Sequence, residues 1–373
     1  MVLSTKGKCF VYKNSRKGGN ETMKKKLLSA LLCTAMVATM AAGCGSSGGS
    51  DEGGSDSGSD SGKKTYAIVT KAAGNPYNEK EASGFQEVIE AEGGECIVKH
   101  PEAATADAQV SVIQSLISQG VDSICIAAND ENALQAALEE AMDAGIKVSC
   151  LDSKVNADSR MTFVNQAGTQ EIGQTLMDAV LDITGGEGQW AILSATSQAA
   201  NQNAWIEAMK EVMTDEKYSK LELVEVAYGD DEPQKSTDQT LALLQKYPDL
   251  KLICAPTTVG INAAAKVLQD EGSSVKLTGL GLPSEMAEYI GDDDAHSCPY
   301  MYLWNPIDVG RLGAYTSIAL VNEDITGAEG ETFTAGDMGE YTITDAGDGG
   351  TEVILGAPFK FDPSNIDEWK DVY

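Results

Sequence analysis

Beyond residue 62 the chain alternates short, β-rich apolar runs with stretches that carry one apolar face at helical spacing. In the first half the runs are Tyr66–Thr70, Glu95–Lys99, Ser123–Ala127 and Lys147–Asp152, and helices are expected from about Tyr77, Asp107 and Asn132. Val110, Ile113, Leu116 and Ile117 line one helical face; Leu134, Ala137, Leu138 and Ala141 line another. Continuous apolar strands between one-faced helices predict a parallel sheet covered on both sides.

After Thr162–Gln166 the pattern restarts. Trp190–Ala195, Glu222–Tyr228, Leu252–Ala255 and Lys276–Gly281 are strand candidates, separated by helices from near Asn201, Ser236, Ile261 and Glu285. Two successive open α/β sheets account for this order, with crossovers near Val164–Gln166 and Met301–Asn305. A helix over Pro306–Val321 returns to the first lobe, and a β-rich tail runs from Tyr341 to Phe361. The expected lobes are residues 63–165 with 306–325, and 166–300 with 326–373, joined by a crossover at 301–305.

The start of the chain has a different grammar. Lys24, Lys25 and Lys26 precede an apolar run from Leu27 to Ala42 and then Gly43-Cys44. That run is shorter than the roughly 20 residues of a spanning helix, and its basic start and small-residue exit fit a secretory signal. A cysteine at the cleavage point makes it a lipoprotein signal over 23–43, with Cys44 the lipid-bearing mature N-terminus; it resembles a bacterial lipobox in which Ala41 replaces the usual leucine. Residues 1–22 read as an upstream extension. From Gly45 to Gly62 only Gly, Ser, Asp and Glu occur, a solvated tether that can bury no apolar area.

Composition narrows the partners. The full chain has 27 bases and 57 acids, a net charge of -30; residues 1–43 hold eight of those bases and one of those acids, which leaves 19 and 56, or -37, for the mature chain. Phosphate recognition needs the opposite balance, so nucleic acid is excluded as a partner. Cys96, Cys125, Cys150, Cys254 and Cys298 follow the lipid site, three of them inside apolar runs, an odd count that forms no disulfide framework. His100 and His296 have no Cys or His partner at metal-ligand spacing, so neither metal nor cofactor is expected.

Ligands of open α/β sheets sit outside the carboxyl ends of the strands. Those ends carry Lys71 with Asn75, Pro76 and Tyr77, then Asn129-Asp130 and Asp152, and in the second half Ser197–Gln202, Pro256-Thr257-Thr258 and Gly281. Amides, hydroxyls, one lysine, two carboxylates and a ring suit a neutral polyhydroxylated ligand. Bland roles compete: Asn75, Pro76, Asn129 and Asn201 also fit turn and cap chemistry, and Trp205, beside Ile206 and Met209, reads as core. Lys71 and Asp152 resist that treatment, because a charge at the end of an apolar strand needs a partner.

Several segments together (TKAAGNPYNEKEASGF, SQGVDSICIAANDENALQAALEEAMDAGIKV, NQNAW, YGDDEPQKSTDQ, CAPTTVGINAAA and YLWNPIDVG) resemble the type I periplasmic sugar-binding proteins of ABC importers, within them the rhamnose and autoinducer-2 branch. The likeness runs over nearly all of Lys64–Tyr373. It implies an α/β, two-lobed fold, each lobe an open, mostly parallel sheet flanked by helices, with the ligand cleft between the lobes. It implies ligand contacts at Lys71, Asp152, Asn201, Gln202, Pro256 and Thr258, to which the loop positions Asn75, Tyr77, Asn129, Trp304 and Asn305 are added. Asn201 replaces an aspartate of the autoinducer-2 receptors, Thr258 an alanine and Leu151 a tryptophan, while YGDD and APTT lean toward rhamnose binders.

The expectation is a monomeric, lipid-anchored extracytoplasmic binding protein that closes on rhamnose or a similar deoxysugar and delivers it to an ABC permease. Autoinducer-2 is the alternative ligand. A sugar-active surface enzyme ranks behind both, since only Asp130 with Asp152 could form its carboxylate pair, and no G-x-S-x-G, P-loop or complete G-x-G-x-x-G is present.

Overall fold

The computed structural model describes residues 62–373, so the expected signal, Cys44 and nearly all of the expected tether lie outside the described residues. The first sheet grows from β1 (Thr65–Val69), α1 (Pro76–Ala91), β2 (Glu95–Lys99), α2 (Ala106–Gln119), β3 (Ser123–Ile126), α3 (Gln135–Asp143), β4 (Lys147–Leu151) and β5 (Phe163–Asn165). The helices start where their caps are written: Asn75 Oδ1 accepts from the amides of Tyr77 and Asn78 ahead of Pro76, and Thr105 accepts from Ala108. β1, β3 and β4 are almost wholly buried and pair in parallel, as continuous apolar runs require.

The second lobe follows with α4 (Thr169–Thr184), β6 (Gly188–Ser194), α5 (Ala200–Val212), β7 (Leu221–Tyr228), α6 (Pro233–Lys246), β8 (Leu250–Ala255), α7 (Thr258–Asp270), β9 (Lys276–Gly279) and α8 (Pro283–Met286). Its sheet is parallel, in the order β7-β6-β8-β9. The periodicity reading above passes over α4, although Ile172, Leu176, Met177 and Val180 form a helical stripe and are all buried.

The chain then crosses back after β10 (Met301–Leu303) through α9 (Pro306–Val321). α9 lies against α1 so closely that a Cβ on Gly310 would stand 1.9 Å from the Glu81 carbonyl, and one on Gly84 2.0 Å from that of Ile307. Only glycine permits this approach of two helix backbones.

The tail corrects the expected lobe boundary. Residues 326–373 were assigned above to the second lobe, but after the hairpin β11 (Thr332–Thr334) and β12 (Glu340–Thr342), strands β13 (Thr344–Asp345) and β14 (Thr351–Ile354) extend the first sheet to the order β13-β14-β5-β4-β3-β1-β2. β14 runs parallel to β5, with Val353 against Val164. Without it β5 would be an open edge of unpaired backbone groups. Asp348 fastens the segment, accepting from Lys154 Nζ at 2.7 Å and from Arg160 Nη2 at 2.8 Å. Only the end of the tail, β15 (Phe359–Phe361) paired with β10 and the short α10 (Ile366–Trp369), returns to the second lobe. The third crossing between lobes therefore falls between β14 and β15 rather than at residues 325–326.

Among the described residues, four of five cysteines are buried, Cys96 is half-buried, and all five are unpaired. Burial pushes the Cys254 thiol up to about 12, and burial with the Glu90 charge does the same for Cys96, so both behave as inert hydrophobes.

Candidate functional site

The carboxyl ends of both sheets face one cavity, lined by side chains of both lobes. From the first lobe it is walled by Lys71, Asn75, Tyr77, Asn78 and Asp152. From the second come Gln202, Trp205, Asp231, the Pro256-Thr257-Thr258 run, Leu280, Leu303 and Trp304.

Lys71 follows β1 and Asp152 follows β4, and the two strand ends bring their charges together. Lys71 Nζ stands 3.3 Å from Asp152 Oδ2, with both side chains less than a tenth exposed. Asn201, in the first turn of α5, joins them from the other lobe: its Oδ1 accepts from Lys71 Nζ at 2.8 Å and its Nδ2 donates to Asp152 Oδ2 at 3.2 Å. Asp152 itself has φ +57, a left-handed backbone that aspartate tolerates better than most residues but still at a cost of about 1–2 kcal/mol. Strain of this kind persists where surrounding structure over-determines it, and here the Asp152 amide is pinned to the Val164 carbonyl at 3.2 Å.

A second bridge between the lobes is aromatic. Tyr77, on the first turn of α1, accepts at its hydroxyl from Trp304 Nε1 at 2.7 Å, and Trp304 meets Trp205 edge to face with centroids 5.6 Å apart. Burial, and after it the carboxylates of Asp152 and Glu81, push the Tyr77 hydroxyl well above the ordinary phenol range, so it stays neutral.

Three sequence-derived site residues stand off the cavity wall, each with a structural occupation. Asn129 donates from Nδ2 to the Lys71 carbonyl at 2.8 Å while its amide donates to Gln109 Oε1, so it fixes the strand end that aims Lys71. Asn201 acts through Lys71 and Asp152. Asn305 is the cap of α9, accepting from the Ile307 amide at 3.0 Å. Lys71, Asn75, Tyr77, Asp152, Gln202, Pro256, Thr258 and Trp304 do line the cavity, although Asn75 spends its carbonyl on capping α1.

Trp205 corrects the sequence reading: it is buried in the core, as expected, and also walls the cavity. Asp231 was not anticipated at all. It lies just past the carboxyl end of β7, the one strand end of the second lobe left out of the survey of loops, and YGDD announces it as two acids in a turn. Glu81 was missed too. It is fully buried behind the cleft on α1, four residues after Tyr77, where burial and the Asp152 carboxylate, against the opposing Lys71, favour its neutral form.

Among the described residues no three His, Cys, Asp or Glu side chains gather as a metal site, and no helix is long and apolar enough to cross a membrane.

A cleft closed between the carboxyl ends of two open parallel sheets defines a two-lobed solute-binding protein. The periplasmic binding protein domain family matches residues 66–324, and the chain belongs to that family. A solute-binding protein of an ABC transporter from Clostridium phytofermentas, solved with bound L-rhamnose, is 64% identical over 84% of this chain and 99% of its own, with a TM-score of 0.83. A sugar ABC transporter protein from Actinomyces odontolyticus is 39% identical over 82% of this chain and 97% of its own, TM-score 0.66. LsrB from Clostridium saccharobutylicum in complex with AI-2 shares the fold at 22% identity, over 82% and 99% of the chains, TM-score 0.75. Among curated proteins, a D-ribose/D-allose-binding protein of Pseudomonas aeruginosa is 27% identical over 39% of this chain, a match that spans 47%, about half, of that relative's length. The family resemblance and the fold class read from the motifs are thus both found, and these relatives are solute-binding proteins rather than enzymes.

Proposed function

We propose that this chain captures L-rhamnose, or a closely similar neutral deoxyhexose, by closing its two lobes around the sugar, and that it hands the sugar to an ABC permease. The observation that carries this reading is the mixed wall of one cavity. Lys71 can donate to ring and hydroxyl oxygens and Asp152 can accept from hydroxyls, while Leu280, Leu303 and the two tryptophans offer an apolar surface. A 6-deoxyhexose needs both, because one end of the ring carries a methyl group where other hexoses carry a hydroxymethyl. The 64% identical relative with L-rhamnose supports the choice. A ligand drives closure only by touching both lobes, and the wall residues come from both.

The protein works as a monomer on the outer face of the membrane, held by lipid at Cys44 and the tether of residues 44–62. The basic, apolar and small-residue order before Cys44 supports the anchor. Autoinducer-2 is the competing ligand, since Lys71, Asp152, Gln202 and Pro256 keep the residue types that the resemblance assigns to its receptors. Calorimetry of the purified chain with L-rhamnose and with autoinducer-2 tests the reading. Saturable binding of L-rhamnose is expected; binding of autoinducer-2 alone transfers the protein to the signalling branch, and binding of neither removes both ligands.

A further inference from the structure

The cavity holds a second carboxylate, and it comes from the opposite lobe. Asp230 and Asp231 follow β7 with φ +55 and +54, two consecutive non-glycine residues in the left-handed region. Such a turn is costly, and it turns the two carboxylates to different tasks. Asp230 pairs with Lys235 on α6. Asp231 has no cationic partner within ion-pair distance; it accepts from the Thr257 hydroxyl and lines the cavity. Thr257 is itself fixed as the cap residue of α7, between Pro256 and Thr258 of the same wall.

We propose that Asp231 is a specificity-determining residue of the second lobe, its free carboxylate oxygen accepting from ligand hydroxyls, and that with Asp152 it makes the cleft select neutral sugars against uronic acids and sugar phosphates. This rests on the sugar-binding reading above. The charge count supports it: Lys71 is the one cation on the cavity wall, against Asp152 and Asp231. Glu102, Asp130, Asp230 and Glu232 line the adjoining mouth, where Lys71 is the one basic lining residue and the nearby Lys235 is taken up by Asp230. An anionic sugar would thus meet like charge on the way in and an uncompensated carboxylate inside, where low dielectric strengthens the repulsion. A neutral polyol instead has hydroxyls to donate to both carboxylates, and Lys71 remains for its ring or hydroxyl oxygens. Burial raises the pKa of Asp231, with Asp152 and Asp230 adding to it and Thr257 and Lys71 opposing, as expected of a carboxylate that lacks a paired cation.

Asp231→Asn tests the assignment, because asparagine accepts the left-handed backbone and the volume while removing the charge. Calorimetry with L-rhamnose should show binding weakened tenfold to thirtyfold in Asp231→Asn and within twofold of wild type in Asp230→Asn, with both variants melting within a few degrees of wild type. D-galacturonate should give no saturable heat with wild type. Unchanged affinity in Asp231→Asn, equal losses in the two variants, or uronate binding by wild type would each overturn the proposal. If wild type ignores L-rhamnose, the ligand reading fails separately, and the same two variants are compared on whichever neutral monosaccharide gives the largest thermal shift with wild type; a selective loss in Asp231→Asn supports the role, and no loss overturns it.

Discussion

The two lobes meet the same cavity with different equipment. The first has a seven-stranded sheet assembled from both ends of the described chain, with α9 locked against α1 and β14 against β5. It holds the one ion pair of the cavity wall, Lys71 with Asp152. The second lobe has a four-stranded sheet built almost wholly from one stretch and contributes amides, hydroxyls, two tryptophans and Asp231. A buried charge pair is useful only if its geometry survives when the cleft opens, because misplacing either member leaves an expensive unpaired charge. The frame with more chain returns carries that burden, and the lobe that reads hydroxyls and apolar surface can be simpler.

The heaviest blow to the first frame is predicted at Gly310. Gly310→Ala places a methyl group within 1.9 Å of the Glu81 carbonyl. It should cost about 3 kcal/mol despite alanine's better helix propensity, since two helices must separate. Hydrogen exchange would locate the loss: α1, α9 and β4 should exchange faster while β6 and β8 keep their protection. Uniform loss in both lobes would erase the proposed contrast between the frames.

Next in size is Asp152→Asn. It keeps the left-handed turn and removes the charge that faces Lys71 and the ligand. Affinity for L-rhamnose should fall tenfold to a hundredfold, about 1.4–2.7 kcal/mol, measured by calorimetry on a folded sample. Asp152→Ala is a poorer probe, because beyond the lost charge it strains the left-handed backbone and leaves Asn201 Nδ2 without its side-chain acceptor.

Acid should loosen the first lobe before the second. Burial alone would raise Asp348, but the Lys154 and Arg160 charges and the Gly350 amide overcome that and hold its pKa down to about 2. A carboxyl depressed in the fold adds stability that is present above its unfolded pKa near 3.9 and is lost as pH falls toward 2, here roughly 1–2 kcal/mol. Asp348→Asn should therefore lower the melting temperature at pH 6 by a few degrees and have a much smaller effect at pH 2, where the carboxyl is about half protonated. An equal effect at both pH values would show that packing of the 346–350 turn, not charge, holds β14 in place.

Tyr77→Phe probes the aromatic bridge. It strands Trp304 Nε1 and should weaken closure by about 1 kcal/mol, a fivefold rise in Kd. Small-angle scattering should then need correspondingly more ligand to reach the compact form. The smallest change is expected from Thr258→Ala, which removes a hydroxyl from the wall while leaving α7 intact. A loss of a few-fold for L-rhamnose with autoinducer-2 spared would assign that hydroxyl to the sugar; equal losses would place it in shaping the helix start.

Much of this was open to reading along the chain. Strands such as Glu95–Lys99 and the helix Pro306–Val321 announce themselves because apolar spacing, prolines and caps are local properties. Lys71 and Asp152 stand out for a related reason, as charges at the ends of strands that water cannot reach. Local signals have a short range, however. Nothing near Thr351–Ile354 says that it pairs with a strand nearly two hundred residues earlier, because an edge in need of cover is a property of the assembled sheet. Asn201 and Asn305 look alike as asparagines at helix starts, yet one bridges Lys71 to Asp152 and the other caps α9. Asp231 and Trp205 reach the cavity only when β7 and α5 are set beside the first lobe. The sequence by itself determined the elements, their parallel order and the residue types available to the cleft, since these follow from periodicity and burial. Tertiary structure alone decided which of those residues face one another, because distances across the cleft depend on how three lobe crossings bring separate strand ends together.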